Sequence, residues 1–180
     1  MVTMHTKRSL AAAAFAVVGA LATACSGGQR IETPPTQQEA KDVLASFDPC
    51  QALTPQEIQA FGAAPNGEPS DLGVGEVGCD FKGEEFEFGV LKAETSDQAY
   101  WEQRRNNFDA FTPNQVGSHS GFSGIALSGK GQGVCRQGMY VGKGSVIVDI
   151  TYSADKIPSD EATCAKAMEI ARLVEPKLPK

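Results

Sequence analysis

Hydrophobic and polar positions change rhythm along the chain, and each change predicts an element. Phe86, Phe88 and Val90 alternate with Glu85 and Glu87, the period of two that marks a half-buried strand. Strands are therefore expected over residues 77–81 and 85–91, joined as a hairpin by Lys82-Gly83-Glu84. Runs at 134–141 and 145–152, on either side of Gly142-Lys143-Gly144, predict a second hairpin. Elsewhere the spacing is helical. Thr54 can cap a helix whose first position is Pro55, Glu57 completes a capping box, and Leu53 and Ile58 stand at staple positions. That helix should end near Gly62. Residues 97–109 place Trp101, Arg105 and Phe108 along one side, a stripe that reads as core packing, with Thr112-Pro113 as the stop. Residues 160–174 turn Cys164, Ala167, Met168, Ala171 and Val174 inward, and Pro176 ends the run. Helices before, within and after an antiparallel sheet predict an α+β fold, sandwich-like, with the sheet packed against helices.

The N-terminus follows a different pattern. Lys7 and Arg8 precede twelve uncharged residues, LAAAAFAVVGAL, followed by Ala22, Thr23 and Ala24. That run is shorter than the eighteen or more apolar residues a spanning helix needs, and it has the layout of a cleavable signal peptide. Leu21-Ala22-Thr23-Ala24-Cys25 resembles the bacterial lipobox, in which the signal is cut before a cysteine whose thiol carries lipid. Ala24 supplies the small residue before the cut, while Ala22 stands where leucine is usual. The expected organisation is a signal peptide over 1–24, a lipidated flexible tether over 25–46 and a single domain over 47–180. The stretch SGGQRIETPPTQQEAKDVLAS is rich in Gly, Gln, Pro and charge. As a flexible chain its reach would be about 25 Å.

Removing Lys7 and Arg8 with the signal leaves 14 of the 16 basic residues against 22 acidic ones, a net charge near −8. Such a surface repels phosphate backbones and anionic lipid heads. Nucleic acid is not an expected partner, and membrane association should come from acyl chains on Cys25. Four further cysteines remain, Cys50, Cys79, Cys135 and Cys164, an even number that outside the cytoplasm reads as two disulfides. Cys50 with Cys79 and Cys135 with Cys164 are favoured because each pair is close in sequence. The main rival joins Cys50 to Cys164 and Cys79 to Cys135. Zinc has little support, because there is no C-x-x-C pair and His119 is the only histidine beyond the signal.

The segment 117–133, GSHSGFSGIALSGKGQG, contains several near-motifs. Gly124 to Lys130 has the spacing of a phosphate loop, but Gly131 follows where Ser or Thr must hold magnesium. Gly121-Phe122-Ser123-Gly124 lacks the last glycine of a nucleophile elbow, Ile125 standing there instead. The segment reads as a strand end and a glycine-rich loop. His119 with Ser118, Ser120 or Ser123 is the available hydroxyl–imidazole pairing, and loop neighbours seldom hold the geometry proton transfer requires. Glu84, Glu85 and Glu87 offer carboxylates for glycosidic chemistry, but Glu85 and Glu87 should share a solvated strand face. No catalytic, metal or cofactor set emerges.

Asp48-Pro49-Cys50, the run Leu53-Thr54-Pro55-Gln56-Glu57-Ile58, Gly78-Cys79-Asp80-Phe81 and Cys164-Ala165-Lys166-Ala167 together resemble the actinobacterial lipoprotein family called domain of unknown function 3558. The resemblance covers residues 47 to about 178, with Phe81 where the family often shows Trp. It implies an extracytoplasmic lipoprotein, the cysteine pairing and an α+β domain, and it supplies no catalytic residues. The expected function is a noncatalytic binding or sensing module at the outer face of the cytoplasmic membrane, engaging an envelope ligand or protein. The alternatives are a cell-envelope hydrolase with an unrecognised site and a structural accessory of a membrane complex.

Overall fold

The computed structural model describes residues 43–180, so the lipobox, Cys25 and most of the expected tether lie outside the described residues. The described chain begins inside the core. Leu44, at the end of the segment read as tether, is fully buried, and Phe47 is nearly so. A 3-10 turn at Pro49–Gln51 follows, with Asp48 accepting from the amide of Cys50 at 2.9 Å. Helix α1 spans Pro55–Ala60. Its capping box forms as read: Glu57 N donates to Thr54 Oγ1 at 3.2 Å and Thr54 N to Glu57 Oε2 at 2.7 Å. Gly62, at φ +74°, then reverses the chain, a left-handed conformation that glycine adopts without a Cβ penalty.

Seven strands follow: β1 Glu68–Asp71, β2 Val77–Lys82, β3 Phe86–Ala93, β4 Phe108–Val116, β5 His119–Ala126, β6 Val134–Val141 and β7 Gly144–Tyr152. They form one antiparallel sheet in the order β1-β2-β3-β7-β6-β5-β4. Helix α2, Gln98–Gln103, lies between β3 and β4, and α3, Asp160–Val174, closes the chain before a 3-10 turn at Glu175–Lys177. The fold is mostly sheet, so the expected α+β sandwich holds only roughly.

Both predicted hairpins are present. β7 is central and carries Val146, Ile147, Val148 and Ile150, all buried. Val146, Val148 and Ile150 join Phe81, Phe86, Phe88, Val90 and Met139 in a core with Ile58 of α1 and Ile170, Ala171 and Val174 of α3. Ile147 and Leu91 face the other way, into a second cluster with Trp101 of α2 and Phe122. A central strand covered on both faces must be apolar on both, which is why residues 146–150 alternate poorly. The cysteines pair as favoured. Cys50–Cys79 ties the first 3-10 turn to β2, with Cα atoms 5.0 Å apart, and Cys135–Cys164 ties β6 to α3, at 5.2 Å.

Three strands depart from the expectation. The helix expected over 97–109 ends at Gln103, and Phe108–Val116 is the edge strand β4. Trp101 stands on α2, Arg105 on a 3-10 turn at Arg105–Asn107 and Phe108 at the start of β4, so the helical spacing continues past the helix, and a bulge separates Phe108 from Ala110. The extra residue of a bulge puts side chains three apart on one face, as a helix does. Phe108 and Phe111 thus both meet Phe122, at ring-centroid distances of 5.9 and 4.8 Å. Pro113, read as a helix stop, is tolerated because an edge strand has amides with no ladder partner. The glycine-rich 117–133 segment supplies β5. A Cβ on Gly124 would lie 2.8 Å from the Phe108 ring, so glycine here makes room for a neighbouring aromatic. β1, between α1 and β2 where the hydrophobic pattern predicts no strand, is a short edge of four residues.

Candidate functional site

The structure brings Ser118 and His119 together with a partner the sequence did not indicate, Glu175 of the last 3-10 turn. Glu175 Oε1 accepts from Ser118 N at 2.9 Å and from Ser118 Oγ at 2.8 Å, and lies 2.9 Å from His119 Nδ1. Ser118 Oγ is 3.4 Å from the same Nδ1. A hydrolytic relay needs the acid on one ring nitrogen and the hydroxyl on the other, so that the imidazole takes the hydroxyl proton. Here the hydroxyl donates to the carboxylate directly, and all three groups converge on one oxygen. The Ser118 amide, then its hydroxyl, then His119 hold the Glu175 carboxyl down at about 2, so it stays ionised and accepting. The cluster is a clasp between the β4–β5 turn and the C-terminal turn. Ser123 lies elsewhere, with Oγ 3.5 Å from the disulfide sulfur of Cys135.

The phosphate-loop spacing also fails in three dimensions. The Lys130 amide donates to Asp109 at 3.3 Å and that of Gly131 to Asp160 at 2.8 Å. Carboxylates thus occupy amides that such a loop would aim at phosphate. Ser123, Gly124 and Lys130 instead border a shallow cleft of about 360 Å³ with Asp160 and Glu161.

On the sheet face opposite α3, Arg136 of β6 is held by two carboxylates. Its Nε and Nη2 each lie 2.7 Å from Asp149 of β7, the residue directly across the ladder, and Nη2 lies 2.6 Å from Glu76 Oε2. Glu76, only 4% exposed, belongs to the β1–β2 loop, so the pair fixes that loop to the sheet. Burial alone would lower the Arg136 guanidinium, but Asp149 and Glu76 outweigh it and raise it. Burial pushes the Asp149 carboxyl up, opposed by Arg136. A guanidinium so held has no proton to trade.

The three glutamates considered for glycosidic chemistry separate. Glu87 pairs with Lys82 and Thr151 in the ladder, on the face opposite Phe86 and Phe88. Glu84 and Glu85 precede β3 and border a cleft of about 380 Å³; Glu85 and Glu87 are both exposed, on either side of the buried Phe86. The cleft is also lined by Phe61 at the end of α1, Phe86, Tyr152 at the end of β7, and Lys166 and Glu169 of α3. Its volume falls within the roughly 300 to 1,000 Å³ of small-molecule sites.

Three of the segments that line this cleft are hydrogen-bonded to one another. Ser153 N donates to Glu85 O at 2.9 Å, Ser153 Oγ to Glu84 O at 3.2 Å, and Gly83 N to Phe86 O at 3.1 Å. Ala64 N donates to Lys82 O at 2.8 Å, fastening the chain after α1 to the same turn. The Phe86 and Tyr152 rings pack at 5.0 Å. Lys166 Nζ lies 2.6 Å from Glu169 and 5.6 Å from the Phe61 centroid. Among the described residues, Glu84 and Glu85 form no ion pair. Burial raises the Tyr152 phenol, with Glu85 and Glu169 adding to the shift and Lys166 opposing it. The sequence named two of the carboxylates, but Phe61 and Tyr152 read only as the end of a helix and of a strand.

No curated protein and no solved structure matches the chain. The family described as Protein of unknown function (DUF3558) matches residues 20–177, nearly the whole length, including all four disulfide cysteines. The chain therefore belongs to that family.

Proposed function

We propose that this chain is an exported lipoprotein of the actinobacterial kind its sequence resembles, cut before Cys25 and acylated there, whose domain serves as a noncatalytic binding or sensing module outside the cytoplasmic membrane. The cleft between Phe61, Glu85 and Tyr152 carries the reading. Four segments distant in sequence converge on it, three of them are joined by hydrogen bonds to backbone carbonyls, and two of its carboxylates are free of ion pairs among the described residues. Preorganised walls lower the entropy lost on binding. The hydrolase alternative is disfavoured by the clasp geometry, which spends the Ser118 proton on Glu175. Anchoring through acyl chains accords with the described helices, none of which is long and apolar enough to cross a membrane.

The test is capture from the cleft. A photoreactive benzophenone side chain replaces Ala60, which lines the cleft, or Ala126, an exposed residue of β5. After illumination of intact cells, the full chain should carry an intact captured molecule from position 60 and none from position 126. Equal capture from both positions, or none from position 60, would refute the binding site. A captured cleavage product would refute the noncatalytic role.

A further inference from the structure

The chemistry of the cleft points to a class of ligand. Resting on the binding-module reading, we infer that it seats an aliphatic ammonium group, with Glu84 and Glu85 as counter-charges and the Phe61, Phe86 and Tyr152 rings as the apolar, electron-rich wall. Aromatic faces attract cations through the negative potential of the ring, and organic ammonium ions are recognised where such faces meet carboxylates. The chain shows the pairing with its own side chain. The Lys166 ammonium lies 5.6 Å from the Phe61 centroid and 2.6 Å from Glu169, so one cation already uses one ring and one carboxylate of the cleft. Glu84 and Glu85 line the same cleft, on a turn whose carbonyls are fixed by Ser153. Counting Lys166, the lining carries three carboxylates against one cation. The whole chain, at −6, draws cations toward it as well.

An anion or a phosphate ester would meet the same three carboxylates as repulsion. A neutral sugar would use the rings and could donate hydroxyls to the glutamates, but it would leave their charge unneutralised. An ammonium group uses both. Lys166 then acts as a competitor for the seat, and this distinguishes the inference from a general acidic surface.

The probe is cadaverine, with 1,5-pentanediol as its uncharged counterpart, titrated into the full chain and followed by the ring-proton resonances of Phe61, Phe86 and Tyr152. Cadaverine should shift them saturably and pentanediol should not. Glu84→Gln and Glu85→Gln should each weaken cadaverine binding about threefold, the scale of an exposed ion pair. Phe61→Leu, which keeps an apolar side chain, should weaken it by a similar factor. Lys166→Gln should tighten it about threefold. Lys143→Gln, which removes the same charge at the far end of β7, should leave it unchanged.

Equal shifts from both probes, or equal tightening by Lys166→Gln and Lys143→Gln, would overturn the ammonium assignment. Capture of an uncharged molecule from position 60 with no response to cadaverine would overturn the ligand class while leaving the binding-module reading standing. Silence in both experiments would overturn both.

Discussion

Glu175 shows how one side chain can settle a question of function. Its Oε1 accepts the Ser118 hydroxyl hydrogen bond that catalysis would need directed at His119, so a suggestive trio becomes a structural clasp. The same contacts predict a pH dependence. The Glu175 carboxyl titrates at about 2 in the fold, below its ordinary 4.5, so the folded state favours the ionised form. The stability this contributes is present above pH 4.5 and is lost as pH falls toward 2. Urea midpoints of the native chain and of Glu175→Gln should therefore differ at neutral pH and converge as pH falls through that window. A difference independent of pH between 4.5 and 2 would mean that charge is not what the clasp uses. Residue types alone could not reveal the clasp, because Ser118 and Glu175 are far apart in the chain and meet only once α3 has packed.

At the scale of elements, legibility followed the range of the signal. The Thr54–Glu57 capping box and the β6–β7 turn depend on spacings of a few residues and were readable, as was most of the inward face of α3, where Thr163 and Ile170 are buried in addition to the expected Ala167, Ala171 and Val174. β4 and β5 were not. Trp101, Arg105 and Phe108 keep a helical spacing through a 3-10 turn into the start of β4, and the glycines that let aromatics lie across β5 imitate a loop. The disulfides sit between these cases, since sequence proximity favoured the observed pairs without excluding the rival. Each pair is separated by 29 residues, and closing a loop of that size constrains the unfolded chain by roughly 3 to 4 kcal/mol. Cys50→Ala and Cys79→Ala should each lose stability of that order, and the double variant should lose little more, because both singles remove one bridge. Additive losses in denaturant unfolding would show that the two sites act independently.

For the whole molecule, we propose that a domain with a binding cleft follows an N-terminus that acts as a lipid anchor. The two parts can be tested apart. Cys25→Ser should abolish acyl labelling in the host and leave the chain released or unprocessed, whereas normal labelling and processing would refute the anchor. The cleft lay beyond sequence reasoning, since its lining runs from Ala60 to Glu169 and only the folded sheet brings those positions together. The central claim is that function resides in this cleft and not in the Ser118–His119–Glu175 clasp. Its most direct test is the yield of light-induced adduct from position 60 in intact cells, compared between two double variants. Glu84→Gln with Glu85→Gln should sharply reduce the adduct, while Ser118→Ala with His119→Ala should leave it near the level of the unaltered sites. Loss of the adduct in the Ser118–His119 variant, with retention in the glutamate variant, would contradict the account.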